Sequence, residues 1–174
     1  MEKIIRILLI GDSNIGKTSL MLKYDDNNTI LSPTSTSTTF SFDFKIKHTR
    51  INNQKLRLQI WDTSGSTRFR YITSSYFKGS DIILLCYSVT DKDSFINIDY
   101  WLNEINMYCT NVNHVSLIAL QTDDPKRFVS KAEGIELAKK YDLPYFEVSS
   151  YNNENVNLMF ETVVGNFIKP KIEI

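Results

Sequence analysis

Cysteine is scarce in this chain, with Cys86 and Cys109 alone among 174 residues. Two thiols cannot build the disulfide framework of a small secreted domain, so a reducing, cytoplasmic setting is expected. Cys86, inside the apolar run "IILLCYSV", reads as a small hydrophobe filling core volume, and Cys109 lies near a helix end. Net charge is absent too: twenty basic side chains balance twenty acidic ones. No bulk electrostatic term draws the chain to nucleic acid or to an anionic bilayer, and no nucleic-acid partner is expected. The two histidines, His48 and His114, have no cysteine or carboxylate beside them at ligand spacing, which argues against an imidazole metal centre. Long apolar runs are missing as well. The opening "MEKIIRILLIGDS" stays apolar for only a few residues, too few for a secretory signal or a membrane span. The closing "NFIKPKIEI" carries no cysteine to prenylate, so no direct membrane anchor is expected in this chain. Any membrane association would then come through partners or a longer native tail. No repeat at solenoid or propeller periods is found.

Apolar material is nevertheless plentiful, at 42% hydrophobic and 12% aromatic residues, enough for one substantial core. Residues 1–174 are therefore expected to form a single domain, standing alone or as one of several in a longer or tandem chain. Short apolar runs alternate with longer amphipathic ones, the pattern of a mainly parallel sheet with helices on both faces. Strands are expected at Ile4 to Ile10, Phe40 to Ile51, Leu56 to Trp61, Ile82 to Ser88, Val115 to Leu120 and Tyr145 to Val148. Helices are expected near Lys17 to Tyr24, Arg68 to Tyr76, Lys92 to Tyr108, Ser130 to Tyr141 and Asn155 to Ile168.

In the second strand Phe40, Phe42, Phe44 and Ile46 alternate with Ser41, Asp43, Lys45 and Lys47. That alternation predicts a half-buried strand at a sheet edge. The "INNQKL" break supplies asparagines for a tight turn, which makes Phe40 to Trp61 a hairpin in an otherwise parallel sheet. Asp25 to Thr39, "DDNNTILSPTSTSTT", has no periodicity and reads as a long polar loop.

"GDSNIGKTS", Gly11 to Ser19, fits G-x-x-x-x-G-K-[ST] and stands between a strand and a helix, the context the pattern requires. Backbone N–H groups along Ser13, Asn14, Ile15, Gly16, Lys17, Thr18 and Ser19 are expected to wrap phosphates, aided by the positive end of the helix. Gly16 lets the backbone approach closely, Lys17 reaches the β and γ phosphates, and the Thr18 hydroxyl is a Mg²⁺ ligand.

The segments "GDSNIGKTS", "FSFDFKI", "LQIWDTSG", "RFRYITSSYFKGSD" and "YSVTDKDSF" resemble, in order and spacing, the Rab branch of the Ras-like small GTPases. This resemblance implies a six-stranded, doubly wound P-loop G domain with one antiparallel edge strand, guanine nucleotide (GTP or GDP) with Mg²⁺, and a role in vesicle traffic. It implies that Thr39 meets Mg²⁺ and the γ phosphate from switch I, that Asp62 holds a Mg²⁺ water, and that Gly65 senses the γ phosphate. Phe44, Trp61 and Tyr76 match an aromatic triad that Rab proteins present to effectors, while aromatics on strands equally serve as core. Protein effectors and regulators are expected to read switch I and switch II.

The chain also departs from that family. Ser66 stands where the family has its catalytic glutamine, and serine is too short to orient an attacking water against the γ phosphate. Thr67 replaces a frequent glutamate, and Ser41 a glycine. The base-recognition segments read "QTDD", Gln121 to Asp124, and "SSY", Ser149, Ser150 and Tyr151. By position Asp124 corresponds to the aspartate that accepts from guanine N1 and N2, Gln121 keeps an amide, and Tyr151 offers a stacking face. Three readings stay open: a slowly hydrolysing GTP switch, a pseudo-GTPase interaction module, and a P-loop kinase or general NTPase with relaxed base choice.

Overall fold

The computed structural model describes residues 2–25, 43–63, 77–109 and 114–169. Six strands form one sheet: β1 Lys3–Ile10, β2 Asp43–Ile51, β3 Gln54–Asp62, β4 Ile82–Ser88, β5 Val115–Leu120 and β6 Tyr145–Glu147. Their order is β2-β3-β1-β4-β5-β6, with every pair parallel except β2 with β3. The helices are α1 Lys17–Asp25, α2 Lys92–Ile96, α3 Ile98–Tyr108, α4 Lys131–Lys140 and α5 Val156–Ile168. The expected helix Arg68 to Tyr76, the loop up to Thr39 and the first residues of the second expected strand lie outside the described residues.

Central strands feed two cores because successive side chains point to opposite faces of the sheet. Ile7, Leu9, Leu84 and Ile118 join Leu20, Met21, Tyr24 and Phe160 beneath α1 and α5. Leu8, Ile10, Leu85 and Tyr87 join Trp101, Ile105 and Ala138 beneath α3 and α4. β4 is buried along its whole length, as a strand covered on both faces must be. The Tyr24 and Phe160 rings stack at 3.8 Å, locking α1 against α5. No helix among the described residues is long and apolar enough to cross a membrane.

The edge strand is half-buried. Alternation holds along β2, with the apolar side chains on the more exposed face: Phe44 is 36% and Ile46 37% exposed, while Lys45 and Lys47 are half-buried. The turn decides this. Asn52 and Asn53 take φ of 49° and 64°, the two left-handed residues of a type I′ hairpin, and the pair Ile51 and Gln54 closes it. That two-residue turn fixes the register, placing Lys45 opposite Ile60 and Lys47 opposite Leu58, and both partners are fully buried. The lysine stems therefore cover the core rim, with the Lys47 ammonium 4.1 Å above the Tyr24 ring. Phe44 instead meets the half-buried Trp61, which packs against the second core, at 4.3 Å.

Smaller differences concern ends and breaks. The expected helix Lys92 to Tyr108 is interrupted at Asn97, whose backbone stays helical (φ −71°, ψ −4°) while its side chain is drawn to Asp12. The last strand stops at Glu147, one residue earlier than expected.

Candidate functional site

The loop after β1 is built from residues in unusual backbone regions. Gly11 has φ 137°, Asn14 φ 62° and Gly16 φ 101°. A Cβ on Gly11 would stand 2.2 Å from the Cys86 carbonyl oxygen, so glycine is required where the loop crosses β4. A loop with positive φ interspersed among ordinary residues is the kind of backbone that can converge successive N–H groups on an anion. Ile15 contributes backbone only, because its side chain is buried in the core. Asn14 is exposed, and Ser13, Thr18 and Ser19 are half-buried around the loop and the start of α1.

Lys17 is buried at 4% exposure, and its Nζ donates to the carbonyl oxygens of Gly11, at 3.0 Å, and Asp12. Burial lowers its pKa, opposed by the nearby Asp62, Cys86 and Asp12. The loop thus holds a poorly solvated ammonium over its own centre, where a phosphate would relieve the lost hydration. The Thr18 hydroxyl donates to Asp62 Oδ2, joining the start of α1 to the end of β3. A hydroxyl and a carboxylate side by side are the hard oxygen donors that Mg²⁺ takes, one directly and one through water, so this pair fits the ion.

Sequence reasoning missed what holds the loop in place. Asp12 accepts from Asn97 Nδ2 at 2.6 Å and from Trp101 Nε1 at 2.8 Å, tying the phosphate loop to α3. Asn97 and Trp101 are four apart and share one helix face, a signal available in the sequence but meaningless until the facing acid is known.

On the other side, Gln121 (φ 60°) lies against the phosphate loop: its Nε2 would be 3.9 Å from a Cβ on Gly16. Its Oε1 accepts from Thr90 Oγ1 at 3.0 Å and from the Ser88 hydroxyl, neither of which the sequence had singled out. The loops after β5 and β6 meet where Ser149 Oγ donates to Asp123 Oδ1 at 2.6 Å. Asp124 accepts from the Lys126 N–H at 2.7 Å. A backbone pair between Ser149 and Glu154 closes the second loop, presenting Ser150 half-buried and Tyr151 59% exposed. Thr39, Ser41, Gly65, Ser66, Thr67 and Tyr76 lie outside the described residues. His48, set aside as a ligand, pairs with Glu2 at 2.8 Å.

A strand, an anion-binding glycine loop and a helix, placed beside β1 where the strand order reverses, define an α/β nucleotide-binding protein of the P-loop class. The Ras family model matches residues 6–169. The chain is 39% identical to the Ras-related protein SEC4 of Saccharomyces cerevisiae over 172 residues, 99% of this chain and 78% of that protein. It is 41% identical to the Ras-related protein RABC1 of Arabidopsis thaliana over 167 residues, covering 94% and 76%. It is 35% identical to the Ras-related protein Rab-18 of Caenorhabditis elegans over 166 residues, covering 95% and 80%. The chain belongs to the Ras family, and within it to the Rab-like small GTPases.

Proposed function

We propose that this chain is a guanine-nucleotide switch of vesicle traffic that hydrolyses GTP slowly and signals to effectors and regulators through the segments around Thr39 and Gly65. The observation that carries the reading is the cluster of buried Lys17 and Asp62 with half-buried Thr18 at the mouth of the glycine loop. Lys17 supplies charge to the β and γ phosphates. Thr18 and Asp62 hold Mg²⁺, which when bound offsets charge developing on the phosphate oxygens. Thr39 and Gly65 are proposed as the residues that sense the γ phosphate, so that its loss releases both segments.

Ser66 is proposed as the cause of slow turnover. Phosphoryl transfer rests on positioning and electrostatics, so a side chain that cannot orient water acts directly on rate. Titration of nucleotide-free protein with GDP, a slowly hydrolysed GTP analogue and ATP, followed by phosphate release from bound GTP, tests the reading. Guanine nucleotide is expected to bind tightly and ATP not, with little phosphate released. Ser66→Gln is expected to raise the single-turnover rate, on the order of 10²-fold, without changing affinity. Equal binding of ATP would favour a general NTPase instead.

The exposed Phe44 and Ile46, with Trp61 beside them, support a second reading as an interaction module that binds protein partners whatever its nucleotide state. Absence of binding by any nucleotide would select it.

A further inference from the structure

At the end of the sheet opposite the phosphate loop lies a cavity of about 240 Å³. It opens between the first residues of β5 and β6 and the last turns of α5, since β1, β4, β5 and β6 run parallel and the phosphate loop follows the other end of β1. Leu143, Phe146 and Val163 give it an apolar wall, and Ser116, Asp142 and Asn166 add polar groups. We infer that this cavity is a binding site for a small organic ammonium: a compact ring or branched chain seated on the apolar wall, its charged nitrogen held by Asp142 and Ser116.

The fold leaves the Ser116 hydroxyl unused. Ser116 is 4% exposed, and its side chain has no hydrogen-bond partner among the described residues. Alternation along β5 sets its direction: Val115 and Leu117 pack beneath α3 and α4, so Ser116 shares the opposite face with Ile118, on the side of α5. A buried hydroxyl without a partner is a cost that a ligand's N–H removes.

Asp142 is unfavourably placed in two respects. α4 ends in a Schellman turn, in which the Leu143 N–H donates to the Ala138 carbonyl at 2.9 Å and the Asp142 N–H to the Lys139 carbonyl at 3.2 Å. Asp142 takes the left-handed position of that turn, with φ 53°, where glycine is the usual residue. Its carboxylate also stands at the negative end of the helix, where a cation is favoured and an anion is not. Among the described residues no cation pairs with it, and Lys140 of the same helix end is drawn to Asp99 at 3.7 Å. Glycine would serve the turn better, so the carboxylate is accounted for by a ligand and not by the fold.

Size and charge narrow the occupant. Asp142 is the one permanently charged residue on the lining, which selects a cation, and Asn166 already accepts from the Lys169 ammonium at 3.1 Å. The volume falls below the roughly 300–1,000 Å³ of drug-sized sites, so the ligand is small.

Phenethylamine, one ring with one ammonium, is the probe. It is titrated into the isotope-labelled chain at pH 8, where an ordinary imidazole such as that of His114 is neutral, and amide NMR shifts are followed. A Kd on the order of 1 mM is expected, the range open to so small a ligand. Shifts are expected to centre on Ser116, Leu143, Phe146 and Val163 and to be the same with and without GDP. Phenethyl alcohol, equal in shape but uncharged, is expected to bind about fivefold more weakly. Asp142→Gly, which suits the left-handed turn and so keeps the fold, is expected to erase that preference, and Ser116→Ala to weaken phenethylamine about threefold. No saturable binding, equal binding of the two probes, a preference for the amine that survives in Asp142→Gly, or shifts centred elsewhere overturns the inference. Butylamine, which has the stem of a lysine side chain, is expected to bind more weakly than phenethylamine because it leaves the ring volume empty. Tighter binding of butylamine would assign the cavity to a partner's lysine and overturn the small-molecule site.

Discussion

At Lys17 the sequence places an ammonium where water hardly reaches, which is a cost in the empty protein and an asset once an anion arrives. Its two carbonyl acceptors orient it without neutralising it. Lys17→Ala is therefore expected to remove the phosphate contact while leaving the loop's glycine geometry alone. Saturating GDP at a hundredfold excess over Kd stabilises a protein by about 2.7 kcal/mol. If the substitution raises Kd on the order of 10²-fold, the same GDP concentration stabilises by only about 0.4 kcal/mol. Thermal melts with and without GDP read the difference. An unchanged GDP-induced shift in the variant would mean that Lys17 does not meet the ligand.

Among the elements, α2 is short and depends on its cap. The Asp91 carboxylate accepts from the Asp93 and Ser94 N–H groups at 3.0 and 3.2 Å, satisfying donors that a helix start leaves open. Ser94, fully buried, then bonds the Asp91 carbonyl and receives the Ser88 N–H, joining the helix to the end of β4. Asp91→Ala is expected to cost about 1 kcal/mol, a fall of about 2–4 °C in Tm for a chain of this size. Because α2 leads into the Asn97 and Trp101 pair that grips Asp12, GDP release is expected to quicken in the same variant. Stopped-flow release of a fluorescent GDP analogue checks this. A lowered Tm with unchanged release would show that α3 holds the phosphate loop without help from its neighbour.

The molecule as a whole buries groups that prefer to stay protonated. Burial pushes Cys86 from its ordinary 9.0 to about 12 and Tyr87 from 10.0 to about 12. Tyr24 and Tyr145 are also raised, burial again being the main cause, and Tyr145 donates to Glu147 at 2.9 Å. Between about pH 9 and 12 the unfolded chain has released protons that the native chain retains, so unfolding becomes easier as pH rises. Burial raises Cys109 as well, and Lys17, with its lowered pKa, acts in the opposite sense just below 10.5 but is one group against these five. Stability is expected to be level up to about pH 9 and to fall progressively toward pH 12. Urea midpoints at pH 8, 10 and 11 measure it, and Tyr145→Phe is expected to flatten the fall. A level profile through pH 11 would contradict the burial of these groups.

Much of this was determined by sequence alone, for local physical reasons. A strand, "GDSNIGKTS" and a helix are contiguous, so glycine freedom and the Lys17 and Thr18 side chains are specified within nine residues. The "INNQKL" turn is equally local, and the uninterrupted apolarity of "IILLCYS" announces a strand covered on both faces. Tertiary structure decided what depends on residues far apart. The face that β2 buries was set by pairing with β3, which put lysines over Leu58 and Ile60 and turned Phe44 outward. The grip on Asp12 joins positions 85 and 89 residues apart, and the Ser149 bond to Asp123 spans 26. Spacing along the family pattern singled out Asp124, whereas the bond across to Ser149 is made by its neighbour Asp123, a contact between loops that no local pattern carries. Motifs record what a chain carries, whereas the direction of a side chain is fixed only when its partners from other elements arrive.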